Sequence, residues 1–275
     1  MKIKNIDTEE RNINTIDIDK CSSIEIIKLI NNEDKKIAYV IEENLEVIAK
    51  GIDLIFDRIK NNGRVFYIGA GTSGRIGILD ASEILPTYND ANTFYGIIAG
   101  GDRAIKNPIE GAEDSENSFA EDISSYNLCA NDVIIGIGAS GMTPYVVSAL
   151  KYAKKNNLLS IGLCMSNSNI FNSICDLNIK IITGPEAITG STRMKAGTAT
   201  KMICNMISTA IMIKKGKVYS NLMVDLKASN EKLRKRCVDI FMTISLIKNK
   251  KYATKILIEN DWNIRKSLEI INKNK

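Results

Sequence analysis

Five short runs that are apolar almost throughout, Arg64–Ile68, Phe94–Ile98, Val133–Ile137, Leu159–Cys164 and Ile179–Ile182, constrain the fold of this chain more than any other feature. A strand with one wet face alternates apolar and polar residues, and these runs do not. They read as strands buried on both faces of a sheet. The intervals between them leave room for a crossover helix in each βαβ unit. The reading is α/β: a doubly wound, mainly parallel five-stranded sheet with its ligands beyond the carboxyl ends of the strands.

Helical patterns flank the sheet. Ser22-Ser23-Ile24-Glu25 has the form of a capping box. Ile37, Val40, Ile41, Leu45, Ile48, Ile52, Ile55, Phe56 and Ile59 then recur at helical spacing, which predicts one long amphipathic helix closed by Asn61-Asn62-Gly63. From Arg193 the pattern is helical almost to the end, with helices predicted over Thr198–Ile213, Asn230–Ile247 and Ile256–Ile271. The expected organisation is an N-terminal helical segment over 1–60, a ligand-binding domain over 61–215 and a C-terminal helical region over 216–275.

The chain contains no histidine. That removes Ser-His-Asp and Cys-His catalysis and the commonest metal ligand, so acid–base work falls to Glu, Asp, Lys, Tyr or Cys. Six scattered cysteines without a C-x-x-C pair read as packed thiols rather than a disulfide framework or zinc site. The first residues, Met1-Lys2-Ile3-Lys4-Asn5-Ile6-Asp7, lack the apolar stretch of a secretory signal, and Met202–Ile213 is too short to span a bilayer. A cytoplasmic protein with no membrane contact is expected. From Lys214 to Lys275, 16 Lys and Arg stand against 6 Asp and Glu, while the whole chain is only +5. Aromatic residues are not interleaved with these cations, so solvated helical faces are expected there rather than a nucleic-acid surface.

Two strand-to-helix turns share one design: Gly69-Ala70-Gly71-Thr72-Ser73-Gly74-Arg75 and Gly138-Ala139-Ser140-Gly141-Met142-Thr143-Pro144. At each, the free N–H groups and positive end of a helix converge, and Gly71 and Gly141 let an anion approach the backbone. Thr72, Ser73, Ser140 and Thr143 add hydroxyl donors. Ser and Thr also cap ordinary helices, but two such turns in one sheet favour a binding site. The first turn fits the letters of G-x-G-x-x-G. No acidic residue ends the next strand and no Walker lysine follows, so a single phosphate on a small molecule suits the turns better than a nucleotide.

These turns resemble the sugar isomerase (SIS) domain. Further stretches are more specific: Leu79-Asp80-Ala81-Ser82-Glu83, Glu110-Gly111-Ala112-Glu113-Asp114, Thr189-Gly190-Ser191-Thr192-Arg193-Met194-Lys195-Ala196-Gly197-Thr198, Asn221-Leu222-Met223-Val224-Asp225 and Asn230-Glu231-Lys232-Leu233. Together, from about Ile16 to Arg236, they resemble the N-acetylmuramic acid 6-phosphate etherase family.

The resemblance implies cleavage of a D-lactyl ether at C3 of the sugar, without metal or organic cofactor, by a homodimeric enzyme of cell-wall recycling. It assigns Glu83 to protonating the departing lactate oxygen and Glu113 to taking the C2 proton. A free glutamate titrates near ~4.3, so burial or a neighbouring carboxylate is expected to raise one of them. The candidate neighbours are Glu110, Asp114 and Glu116. Ser191, Arg193 and Lys195 are implied to border the sugar pocket. Two other readings share the fold: a non-catalytic sugar-phosphate sensor like the glucokinase regulatory protein, and an aldose–ketose isomerase.

Overall fold

The computed structural model describes residues 6–115 and 118–273. Glu116 of the acidic run lies outside them. Among the described residues, five strands form one sheet, β1 (Val65–Gly69), β2 (Phe94–Ile98), β3 (Val133–Gly138), β4 (Leu159–Cys164) and β5 (Leu177–Lys180). The order is β2-β1-β3-β4-β5 and every pairing is parallel. Residues of β1, β3 and β4 are buried along their whole length, as strands covered on both faces must be.

The helices are α1 (Ser23–Glu42), α2 (Leu45–Ile59), α3 (Gly71–Ser82), α4 (Ile84–Tyr88), α5 (Arg103–Lys106), α6 (Ser118–Ser124), α7 (Pro144–Lys155), α8 (Ile170–Ile174), α9 (Lys195–Lys214), α10 (Glu231–Ser245), α11 (Lys250–Glu259) and α12 (Ile264–Lys273). One face of the sheet packs Phe66, Ile68 and Ile134 against Phe119 of α6, Tyr145, Val146 and Leu150 of α7, and Phe171 of α8. On the other face Tyr67 donates its hydroxyl proton to the Cys204 carbonyl of α9 at 3.3 Å. Gly51 of α2 lies against Ile179 and Leu177 on that same side. None of the helices among the described residues is long and apolar enough to cross a membrane.

The chain divides into two compact units. The first holds the residues up to Ala81 together with Asn92–Ser208, and so the entire sheet. The second joins Ser82–Ala91 to the residues from Thr209 onward. Its core is Val224, Cys237, Phe241, Ala253, Leu257 and Ile264, and Arg265 holds Asp225 at 2.5 Å and the Gly216 carbonyl.

Three local expectations change. The long N-terminal helix is two helices, because Asn44 turns its side chain back to donate to the Val40 carbonyl (2.8 Å) and leaves helical geometry; asparagine competes in this way with the backbone ladder. The capping box ahead of it is present, with the Glu25 carboxylate accepting from the Ser22 N–H (2.8 Å) and hydroxyl (2.6 Å). The fifth strand runs Leu177–Lys180 rather than Ile179–Ile182. Beyond Lys180 the chain still follows the end of β4, the Ile181 and Thr183 N–H groups donating to the Cys164 and Met165 carbonyls at 2.9 and 3.3 Å, with the Thr183 hydroxyl on the Met165 carbonyl at 3.1 Å. The last predicted helix is also two, since Asp261 and Trp262 adopt left-handed backbone and Trp262 N–H closes on the Leu257 carbonyl at 2.7 Å.

Candidate functional site

From β1 the chain moves outward to β2 and then returns to place β3 on the opposite side of β1. A crevice opens at such a reversal, beyond the carboxyl ends of the two strands that flank it. Here those strands are β1 and β3, and they end in register, Gly69 beside Ile137. The two glycine- and hydroxyl-rich turns leave the sheet at this point.

Each turn is held by specific bonds. Gly71 begins α3 with φ +50°, a conformation that glycine tolerates without strain. At the second turn Gly141 has φ +68° and donates its N–H to the Gly138 carbonyl at 3.0 Å. Ser140 accepts the Met142 N–H on its hydroxyl (3.2 Å), and Ser166 fastens the Ser140 carbonyl from β4's side at 2.8 Å. Thr143 caps α7 and Pro144 occupies its first turn, where the missing N–H costs nothing.

A cavity of about 390 Å³ in the first unit lies between these turns. Gly71, Thr72 and Ser73 form one part of its wall, and Ser140, Thr143 and Pro144 another. Glu113 and Asp114 reach it from a single 3₁₀ turn, Ala112–Asp114, that follows Gly111 at φ +73°. The start of α9 adds Thr192, Ala196, Gly197 and Thr200, and the N-terminal leader adds Glu9.

The structure thus brings Gly71, Thr72, Ser73, Ser140, Thr143 and Glu113 to one cavity, with Gly141 shaping the second turn. Glu113 is exposed rather than buried. Glu83 caps α4 in the second unit, is exposed, and is absent from the wall of this cavity. Of the two expected settings, burial is found for neither glutamate, while a neighbouring carboxylate, Asp114, does stand beside Glu113 on the wall. Nor do Ser191, Arg193 and Lys195 line the cavity; Thr192, Ala196, Gly197 and Thr200 do.

The reason for Lys195 is visible. It is 2% exposed, and its Nζ lies 2.8 Å from Glu33 Oε2 of α1. Burial works against the Glu33 carboxylate, but hydrogen bonds from Lys195, Lys36, Asn12 and Asn14 outweigh it and bring its pKa down to about 2. Beside this pair, Glu186 is fully buried and accepts the Lys195 and Ala196 backbone N–H groups, both at 2.9 Å. Burial is the main influence on Glu186 and pushes its pKa up, against those two N–H bonds. A carboxylate at this position satisfies the open donors at the start of α9 and complements its dipole. Arg75 is committed as well, its guanidinium donating to the Ala104 and Ile105 carbonyls at 2.8 and 2.9 Å.

The cavity wall therefore carries three carboxylates, Glu9, Glu113 and Asp114, together with neutral hydroxyls and helix-start N–H groups. It can grip a phosphate through dipoles and hydroxyls and present carboxylates to the rest of a ligand. Sequence reasoning missed Glu9, Thr192 and Thr200. For Glu9 no local signal existed, because only long-range docking of the leader brings it here.

Comparison with known proteins bears on the fold and on the family. The family model described as the glucokinase regulatory protein N-terminal SIS domain matches residues 47–154, and that of the SIS domain matches residues 118–210. Among solved structures, a phosphoheptose isomerase from Francisella tularensis superposes with a TM-score of 0.56 at 17% identity, covering 70% of this chain and 100% of that one. That likeness concerns the fold alone. Among curated proteins, N-acetylmuramic acid 6-phosphate etherase of Mycoplasma mycoides is 54% identical over 98% of this chain and 89% of its own length. The protein of the same name from Clostridioides difficile is 52% identical over 98% and 88%. With such identity sustained from end to end, the chain belongs to the N-acetylmuramic acid 6-phosphate etherase family.

Proposed function

We propose that this enzyme cleaves the D-lactyl ether of N-acetylmuramic acid 6-phosphate to give N-acetylglucosamine 6-phosphate and D-lactate. The observation that carries the reading is the convergence of two hydroxyl-lined helix starts and Glu113 on one cavity at the sheet's reversal point. Thr72, Ser73, Ser140 and Thr143 hold the phosphate with the N–H groups around Gly71 and Gly141.

The sugar reacts as its open-chain aldehyde, whose carbonyl acidifies the C2 proton. Glu113 takes that proton, the C3–O bond breaks, and Glu83 protonates the departing lactate oxygen. Water then adds at C3 of the unsaturated aldehyde and C2 regains a proton, so that one water is consumed overall. General acid–base steps of this kind contribute about 10²–10⁴-fold each. Arg193 and Ser191, beside the wall residue Thr192, support the pocket's edge.

The enzyme works in the cytoplasm as a homodimer in this reading. Ile24, Ile27, Tyr39 and Leu45 support the dimer, being large apolar side chains left exposed on α1 and α2. The match to the regulatory-protein SIS model favours one other reading, a sensor that binds phosphosugar without turnover. Incubation with N-acetylmuramic acid 6-phosphate separates the two. Release of one D-lactate per sugar is expected, and binding without lactate release would refute the lyase assignment.

A further inference from the structure

Residues 6–15, which precede α1, are a built part of the cavity wall. Ile6 is buried, and Asp7 Oδ1 accepts the Asn167 N–H at 3.0 Å. Downstream, Asn12 Nδ2 donates to the Pro185 carbonyl (3.0 Å) and Thr15 Oγ1 to the Ala187 carbonyl (2.8 Å). Between these anchors the 3₁₀ turn Asp7–Glu9 carries Glu9 into the cavity wall. Its carboxylate lies over Gly190, where a methyl group would stand 3.2 Å from Oε2 and where φ is +73°. A side chain at position 190 would crowd the Glu9 carboxylate.

An ionised carboxylate only accepts hydrogen bonds. A phosphate offers it none and repels it, so the partner for Glu9 is a neutral donor. The phosphate turns, in contrast, present mainly donors. Sugar hydroxyls need acceptors as well, and Glu113 is already assigned to the C2 proton.

We infer that Glu9 is a specificity-determining residue that accepts hydrogen bonds from hydroxyl groups of the sugar body, while the two turns hold its phosphate. This rests on the phosphosugar reading above and deepens it. Glu9 is exposed, so Glu9→Gln preserves shape and leaves the fold intact.

The test is calorimetric titration of wild type, Glu9→Gln and the neighbouring Glu10→Gln with N-acetylglucosamine 6-phosphate and, separately, with inorganic phosphate. Glu9→Gln is expected to weaken the sugar phosphate about tenfold, the scale of a hydrogen bond to a charged group, and to leave inorganic phosphate within about twofold. Glu10→Gln should match wild type for both. Equal sugar-phosphate affinity in Glu9→Gln, or a parallel loss for inorganic phosphate, overturns the inference. If wild type binds the sugar phosphate and Glu9→Gln weakens it, but no D-lactate is released from the muramic acid substrate, the assignment of Glu9 stands and the lyase reading falls.

Discussion

Charges around the start of α9 and charges on the cavity wall are used in opposite ways, although both sets belong to the first unit. Lys195 and Glu33 are buried against each other, and Glu186 is buried on two backbone N–H groups. On the wall, Glu9 and Glu113 are exposed, and the groups expected to meet phosphate are uncharged. A buried ion pair is sensitive to loss of either partner, because the survivor is stranded in a poor solvent. An exposed carboxylate can be removed with little effect on folding and still decide chemistry. The difference teaches that Lys195 of the Gly-Ser-Thr-Arg-Met-Lys stretch serves the scaffold, while the cavity wall offers dipoles, hydroxyls and carboxylates to the proposed ligand.

The largest effect that would sharpen this contrast is at Glu113. Glu113→Gln is expected to lower kcat by about 10²–10⁴-fold with the melting temperature unchanged, as steady-state lactate release and calorimetry would show. Retained activity would place the chemistry elsewhere. Lys195→Met should do the reverse. It is expected to cost up to about 3 kcal/mol of stability by removing the buried cation from Glu33, which keeps Lys36 and Asn14, and so to lower the melting temperature by roughly 5–10 °C. A Lys195→Met protein of wild-type stability that fails to bind phosphosugar would break the comparison outright.

The pH dependence of folding gives a third, smaller effect. The Glu33 pKa is depressed from its ordinary 4.5 to about 2, so the fold binds fewer protons there than the unfolded chain does. Its stabilisation is complete above about pH 4.5, is lost as pH falls toward about 2, and amounts to something on the order of 3 kcal/mol. Denaturant melts from pH 6 to pH 3 should show the slope, and Glu33→Gln should remove that component. Smallest of all, Ser140→Ala should raise KM by about tenfold or less through one lost hydroxyl contact, with kcat little changed.

The sheet was legible because its strands are apolar on both faces, and their spacing with intervening helical patterns suits a doubly covered parallel sheet. The two turns were legible for a similar reason: glycine and hydroxyl residues at a strand-to-helix junction carry their chemistry locally. Helix ends were harder to place. Asn44 and the Asp261-Trp262 pair interrupt helices whose apolar spacing continues across the break, and around the second break α11 and α12 bury on one shared core. The site residues divide in the same way. Thr72 and Ser140 follow from their turns, whereas nothing near Lys195 in sequence announces Glu33, 162 residues away, or brings Glu9 to the wall.

In the proposed reaction Glu113 removes the C2 proton of a sugar whose phosphate is held between the two turns. Running the reaction in deuterium oxide and examining the N-acetylglucosamine 6-phosphate by NMR tests this most directly. Wild type should place solvent deuterium at C2 in the product, and Glu113→Gln should lose that incorporation in step with lactate release. Product that retains its original C2 hydrogen throughout turnover would contradict the mechanism, as would undiminished exchange in the variant.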